Sequence, residues 1–145
     1  ILLSLVGSEM CIRDRSYTRC FDGCWGQMYA DMGFDDNYFN RGYSSFTLEE
    51  NLKYFKEFLE GDSIYPCFRI VGLNRKCIHI LGCLLDSENN MSTVYETVLG
   101  HIDMNLRKII EMDDPFFNSI TSLKHSHDNL GNIPFDLRLV VKESV

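Results

Sequence analysis

The side chains able to move protons or hold a charged group fall at a few positions. Asp22, Glu49 and Glu96 are carboxylates that can take a proton from water or attack an electrophile, and His79 and His101 can act as acid or base. Each position also has a purely structural use. Asp22 can compensate charge near a helix start, and Thr47 with Glu49 can form a solvated strand face. Glu96 and His101 stand five apart, so on one strand they point to opposite faces and cannot line one pocket. His79 lies between Ile78 and Ile80, the setting of a cross-strand hydrogen-bonded histidine, and a satisfied or interface role suits His101 equally. Cys20 and Cys24 would share one helix face and could hold a metal, but small buried cysteines are the commoner use, so no metal is expected.

The elements that position these groups follow from periodicity. From 16 to 32, Tyr17, Cys20, Phe21, Cys24, Trp25, Met28 and Tyr29 recur with helical spacing, and Gly33 is a natural stop. Trp25 and Tyr29 read as core. Residues 34–42 are polar and Asn-rich, a loop. Segments rich in β-branched and aromatic residues follow at 44–55, 63–73, 77–85 and 93–104, separated by turn-type clusters. Within the first, 49–59 also suits a helix. Short connections predict an antiparallel four-strand meander. Pro115 marks a break, and 116–127 forms a terminal helix.

Composition excludes several classes. The 145 residues are 45% hydrophobic, 12% aromatic and 24% charged, the profile of one soluble domain with a real core. Fourteen Lys and Arg against twenty-one Asp and Glu leave a charge of -7, which argues against nucleic-acid or anionic-membrane partners. No apolar run reaches the roughly 18–20 residues that span a bilayer.

The opening differs in character. Leu5-Val6-Gly7-Ser8-Glu9-Met10-Cys11-Ile12-Arg13-Asp14 resembles the translation of a transposase adapter used to build short-read sequencing libraries. Residues 1–15 are therefore expected to be adapter-derived, and residues 16–145 to form one domain. Of six cysteines five then remain, an odd number without a CxxC pair, which favours free thiols in a reducing, cytoplasmic setting.

Phe21-Asp22, then Gly33-Phe34-Asp35 with Tyr38, resemble the helix and its exit in acyl-CoA thioesterases of the 4-hydroxybenzoyl-CoA thioesterase-like, hot-dog group. Ser45-Phe46-Thr47-Leu48-Glu49 with Tyr54 and Glu57, then Gly61-Asp62, resembles that group's second strand and turn. Arg75-Lys76-Cys77-Ile78-His79 resembles the next hairpin, and Glu96 with His101-Ile102-Asp103-Met104 the last long strand. His127-Asp128-Asn129-Leu130 and Pro134 fit the tail of the betainyl-CoA thioesterase domains of carnitine breakdown.

The resemblance implies an α+β hot-dog fold, an antiparallel sheet wrapped around one long helix, and settles 49–59 as strand. It implies hydrolysis of an acyl-CoA thioester, betainyl-CoA or a similar short acyl-CoA, to free acid and CoA. It also implies a homodimer or dimer of dimers with no cofactor beyond the CoA of the substrate. The group carries its catalytic Asp and a Gly-His pair in a loop before the helix, after a first strand. Here that stretch is replaced by the adapter-like segment, so the domain is expected to be truncated and its activity impaired. Asp14 lies near the required place but lacks the following Gly-His. Asp22 and Glu49 remain the candidate carboxylates, with Thr47, Phe46, Tyr38, Tyr54, His79, Glu96 and His101 as candidate substrate contacts. Tyr38, Phe46 and Tyr54 could hold a quaternary ammonium by cation–π attraction. The CoA phosphates would need Arg41, Lys53, Lys56, Arg75 or Lys76. The alternatives are an enoyl-CoA hydratase or dehydratase and a non-catalytic hot-dog module that binds CoA esters or assembles with partners.

Overall fold

A computed structural model describes residues 10–59 and 61–142, with side chains at Tyr17 and from Arg19 onward. Residues 1–9 and the Asp14 side chain lie outside the described residues. Helix α1 (Met10–Met32) begins within the adapter-like segment and carries one apolar stripe. Tyr17, Cys20, Phe21, Trp25, Met28 and Met32 fall three or four apart, so they share the face buried against the sheet. The chain then turns at Gly33, whose φ of +87° suits a residue without a side chain. The segment expected as a loop contains a short helix α2 (Asp36–Asn40), capped by Asp35, whose carboxylate accepts from the Tyr38 N–H at 2.8 Å.

Four long strands follow, β1 (Tyr43–Tyr54), β2 (Tyr65–Leu73), β3 (Cys77–Leu85) and β4 (Met91–Asp103), with a two-residue β5 (Lys108–Ile109) beside β4. The 49–59 segment is strand as far as Tyr54. The spatial order is β1-β4-β3-β2, all antiparallel. This corrects the simple meander. Strands β2, β3 and β4 do follow one another through tight turns, but β1 pairs with β4. The long connection after β1 frees it from the nearest-neighbour rule that a tight hairpin would impose. β1 has no strand partner on its other edge among the described residues.

Alternation divides the sheet into two faces. Tyr95, Thr97, Leu99 and His101 of β4 point toward the helices, and Glu96, Val98 and Gly100 point outward. On the inner side the Phe21 ring, 0% exposed, stacks on Tyr95 at 5.0 Å between centroids. Gly82 of β3 makes that approach possible, since a Cβ there would stand 2.9 Å from the Phe21 ring.

Pro115 proves to sit in the first turn of helix α3 (Asp114–Asp128), capped by Asp113, where its missing N–H is harmless. Helix α3 runs against β2. There His127 Nδ1 accepts the Ile70 N–H at 3.0 Å, beside a bulge in that edge strand.

Candidate active site

Between α1 and the inner face of β1 and β4 lies a cleft of about 290 Å³. Asp22, Trp25 and Tyr29 of α1 form one wall, Thr47 and Glu50 of β1 another, and Tyr95, Thr97 and Leu99 of β4 the floor. Three aromatic rings and two carboxylates thus share a space at the lower end of the roughly 300–1,000 Å³ usual for small-molecule sites. The Tyr95 hydroxyl donates to Glu50 Oε1 and fixes that carboxylate. Burial, then the bond to Glu50, push the Tyr95 phenol well above its ordinary pKa, so it stays a donor. Trp25 and Tyr29 serve the core and the cleft at once, since Trp25 packs on the Phe68 ring at 4.9 Å while lining the space.

A bulge decides which glutamate enters. Thr47 pairs with Leu99 and Glu49 with Val98, so Leu48 is an extra residue and the alternation changes phase there. Thr47, one of the candidate substrate contacts, faces the cleft. Glu49 is turned to the outer face with Val98, which removes it as a candidate carboxylate. Glu50, opposite Thr97, takes the inward position. The adjacent pair Glu49-Glu50 was the available signal, because either phase of the strand would present one carboxylate inward. Asp22 sits mid-way along α1 and reaches the cleft rather than compensating a helix end.

The other candidates lie elsewhere. Phe46 is on the outer face of β1 under the Arg107 guanidinium. Tyr54 ends β1 edge-on to Tyr17, with centroids 5.3 Å apart. Tyr38 is buried beneath α2, where its hydroxyl donates to the Ser44 carbonyl at 2.9 Å and accepts from His101 Nδ1 at 2.8 Å. The three aromatics therefore form no common cage. His101 packs among Tyr38, Tyr43 and Phe116, and burial lowers its pKa. His79 and Glu96 occupy the opposite face, with Nε2 3.3 Å from Oε2 but not aligned as a hydrogen bond. Burial lowers the His79 pKa, outweighing the adjacent carboxylate.

Glu96 itself, 1% exposed, is spent on the C-terminal tail. It accepts the Arg138 N–H on both oxygens at 3.0 Å, the Leu139 N–H at 2.9 Å and Asn51 Nδ2 at 3.2 Å. Four of the five candidate phosphate-binding cations are paired with acids. Arg41 meets Asp113, Lys56 meets Asp86, Arg75 meets Asp114 and Lys76 stands 3.9 Å from Glu111. Lys53 faces outward on β1 beside Val94. None of the five lines the cleft.

Comparison with solved structures shows the same fold at low identity. A Staphylococcus aureus protein solved with CoA, described as hypothetical, superposes with a TM-score of 0.75 at 19% identity, covering 89% of this chain and 83% of its own. A DHNA-CoA thioesterase from the same organism gives 0.74 at 17% identity, with 92% and 93% covered. The Synechocystis 1,4-dihydroxy-2-naphthoyl-CoA thioesterase gives 0.69 at 12% identity, with 86% and 95% covered. Comparison with curated proteins finds no match. The sequence profile of the Thioesterase-like superfamily matches residues 9–120, from the start of α1 into α3. With the sheet wrapped on α1 as in these structures, the chain belongs to the Thioesterase-like, hot-dog superfamily.

Proposed function

We propose that this domain hydrolyses a short acyl-CoA thioester, with the acyl group held in the cleft between α1, β1 and β4. The observation that carries the reading is the meeting of two carboxylates, Asp22 and Glu50, across a small space walled by Trp25, Tyr29 and Tyr95. Glu50, aligned by Tyr95, takes a proton from water, the water oxygen adds to the thioester carbonyl carbon, and as the carbonyl re-forms the C–S bond breaks, the departing CoA sulfur taking the proton back from Glu50. Among the described residues the lining contains no histidine, which favours hydrolysis over an Asp/His hydratase.

The acyl group we assign is cationic, betainyl being the simplest. Aromatic faces and two anionic side chains attract a quaternary ammonium, and a cleft of this size suits a short acyl chain. The outer edge of β1, without a strand partner among the described residues and with Phe46 and Leu48 exposed along it, supports pairing with a second copy. The charge of -7 supports a protein that avoids nucleic acid and anionic membrane, and the odd number of cysteines after residue 15 supports a reducing, cytoplasmic setting.

The test is CoA release from betainyl-CoA and from tert-butylacetyl-CoA, which has the same shape without the charge. A kcat/KM at least about tenfold higher for betainyl-CoA is expected, since a desolvated cation–π contact is worth about 1–2 kcal/mol. Equal rates would remove the cationic assignment. Binding without release from either would leave a CoA-ester binding module.

A further inference from the structure

Strands β2 and β3 set two cysteines directly opposite one another. Cys67 pairs with Cys83 in the register, and both thiols are free. Their neighbours show which way they point. Phe68 and Gly82, one step along each strand, meet the Phe21 ring on the inner side, so Cys67 and Cys83 share the outer face. Cys67 is exposed there and Cys83 half-buried. The other described cysteines are placed differently, since Cys77 faces Gly100 and Cys20 and Cys24 lie on α1.

The backbone fixes how close the two come. The Ile70 N–H is directed away from β3 to His127, and Pro66 has no N–H to give. Residues 66, 68 and 70 therefore form the non-hydrogen-bonded pairs of this ladder, and Cys67 with Cys83 a hydrogen-bonded one. Opposed α-carbons in such a pair stand about 5.5 Å apart, within the range that disulfides bridge. Their β-carbons stand about 4.5–5.5 Å apart and must close to about 3.8 Å, which favours a bond that is easily reduced.

We propose that Cys67 and Cys83 are a reversible redox site, closed to a cross-strand disulfide by exchange with a low-molecular-weight disulfide of the glutathione type. The exposed Cys67, as thiolate, attacks one glutathione sulfur, the glutathione S–S bond breaks, and one glutathione thiolate leaves. The Cys83 thiol then gives its proton to solvent and attacks the Cys67 sulfur, expelling the second glutathione thiolate. Two protein thiols are oxidised to one disulfide, and one glutathione disulfide is reduced to two glutathione thiols. Burial, then the neighbouring Cys67, push the Cys83 thiol up to about 11, so it resolves the mixed disulfide rather than starting the exchange. A labile bond suits a reducing compartment, where disulfides are transient. Once formed it fastens β2, the edge strand on which α3 is held through His127, to β3.

The test incubates the folded chain with oxidised glutathione, alkylates the thiols that remain, and identifies tryptic peptides by mass. Peptide 57–69, which carries Cys67, should appear joined to peptide 77–107, lighter than the separate pair by two hydrogens, and dithiothreitol should part them. Cys77→Ser, which leaves Cys83 as the sole cysteine of its peptide, should cross-link as before. Cys83→Ser should lose the cross-link and hold glutathione on Cys67, while Cys67→Ser should lose the cross-link and leave Cys83 unmodified. A cross-link that survives in Cys83→Ser, glutathione that stays on Cys67 of the unsubstituted chain, or a Cys67-linked dimer on a non-reducing gel would each overturn the proposal. So would two thiols that stay reduced in the folded chain. The urea midpoint of the unsubstituted chain should rise on oxidation, because a closed loop restricts the unfolded state, and that of Cys83→Ser should not. A midpoint unchanged or lowered by the cross-link would overturn the fastening of β2.

Discussion

The two faces of the sheet handle the same chemical groups in opposite ways. On the outer face, Glu96 is buried and fully engaged, with two backbone N–H groups of the tail and the Asn51 amide on its oxygens. On the inner face, Glu50 has one phenol bond and an open side toward the cleft. Both glutamates belong to paired strands and both stand near aromatic or histidine rings. The difference lies in what covers them: a tail that brings backbone donors on one side, a helix that leaves a cavity on the other. A carboxylate whose lone pairs are consumed holds structure, and one left partly free is available to a substrate.

The comparison is broken most directly at Glu96. Glu96→Ala leaves the Arg138 and Leu139 N–H groups and the Asn51 amide without their acceptor and should cost about 3 kcal/mol. Urea unfolding measures the loss, and limited proteolysis should cut the tail in the variant first. A loss under about 0.5 kcal/mol would mean the outer face is not held as described. On the inner face the effect moves from stability to turnover. Glu50→Gln should lower kcat/KM about a hundredfold, equivalent to about 2.7 kcal/mol, while Glu49→Gln leaves it unchanged. The reverse ranking in a CoA-release assay would put the bulge in the wrong place.

Packing on the inner face supplies a smaller effect. Gly82→Ala drives a methyl group into the Phe21 ring, so α1 must lift from the sheet at a cost of about 2 kcal/mol, read as a lower urea midpoint. Acid sharpens the comparison further. His79, His101 and His127 are each held mainly by burial below the ordinary histidine pKa, so the folded chain binds their protons more weakly than the unfolded chain. Their contribution is complete above about pH 6.5 and is lost as the pH falls from there through the lowered folded values. Urea midpoints measured from pH 7.5 to 5 should decline accordingly. His127→Gln should flatten part of that slope, since its neutral Nδ1 accepts the Ile70 N–H.

The adapter-like opening, residues 1–15, stands where the family resemblance expects the catalytic loop, and residues 1–9 of it lie outside the described residues. The cleft is lined by none of them. Asp22, Thr47 and Glu50 come from the helix and strand that follow.

Much of this architecture was legible in residue order alone. The apolar stripe of α1, the spans of β2 and β3 within a residue or two, and the opposition of Glu96 to His101 across β4 all follow from periods of 3.6 and 2. These are local properties, set by backbone geometry, and they survive whatever the neighbours are. The pairing of β1 with β4 was not local, because a long connection permits either partner. The inserted Leu48 was not legible either, and a single extra residue reverses every side chain beyond it, replacing Glu49 by Glu50 in the cleft. Nor could alternation show that Glu96 would be consumed by the tail, since what a buried carboxylate accepts depends on what folds over it. The sequence by itself determined the elements and their apolar faces, through short-range sterics and side-chain period. Only tertiary structure decided which polar groups were consumed in holding the fold and which remained free to act.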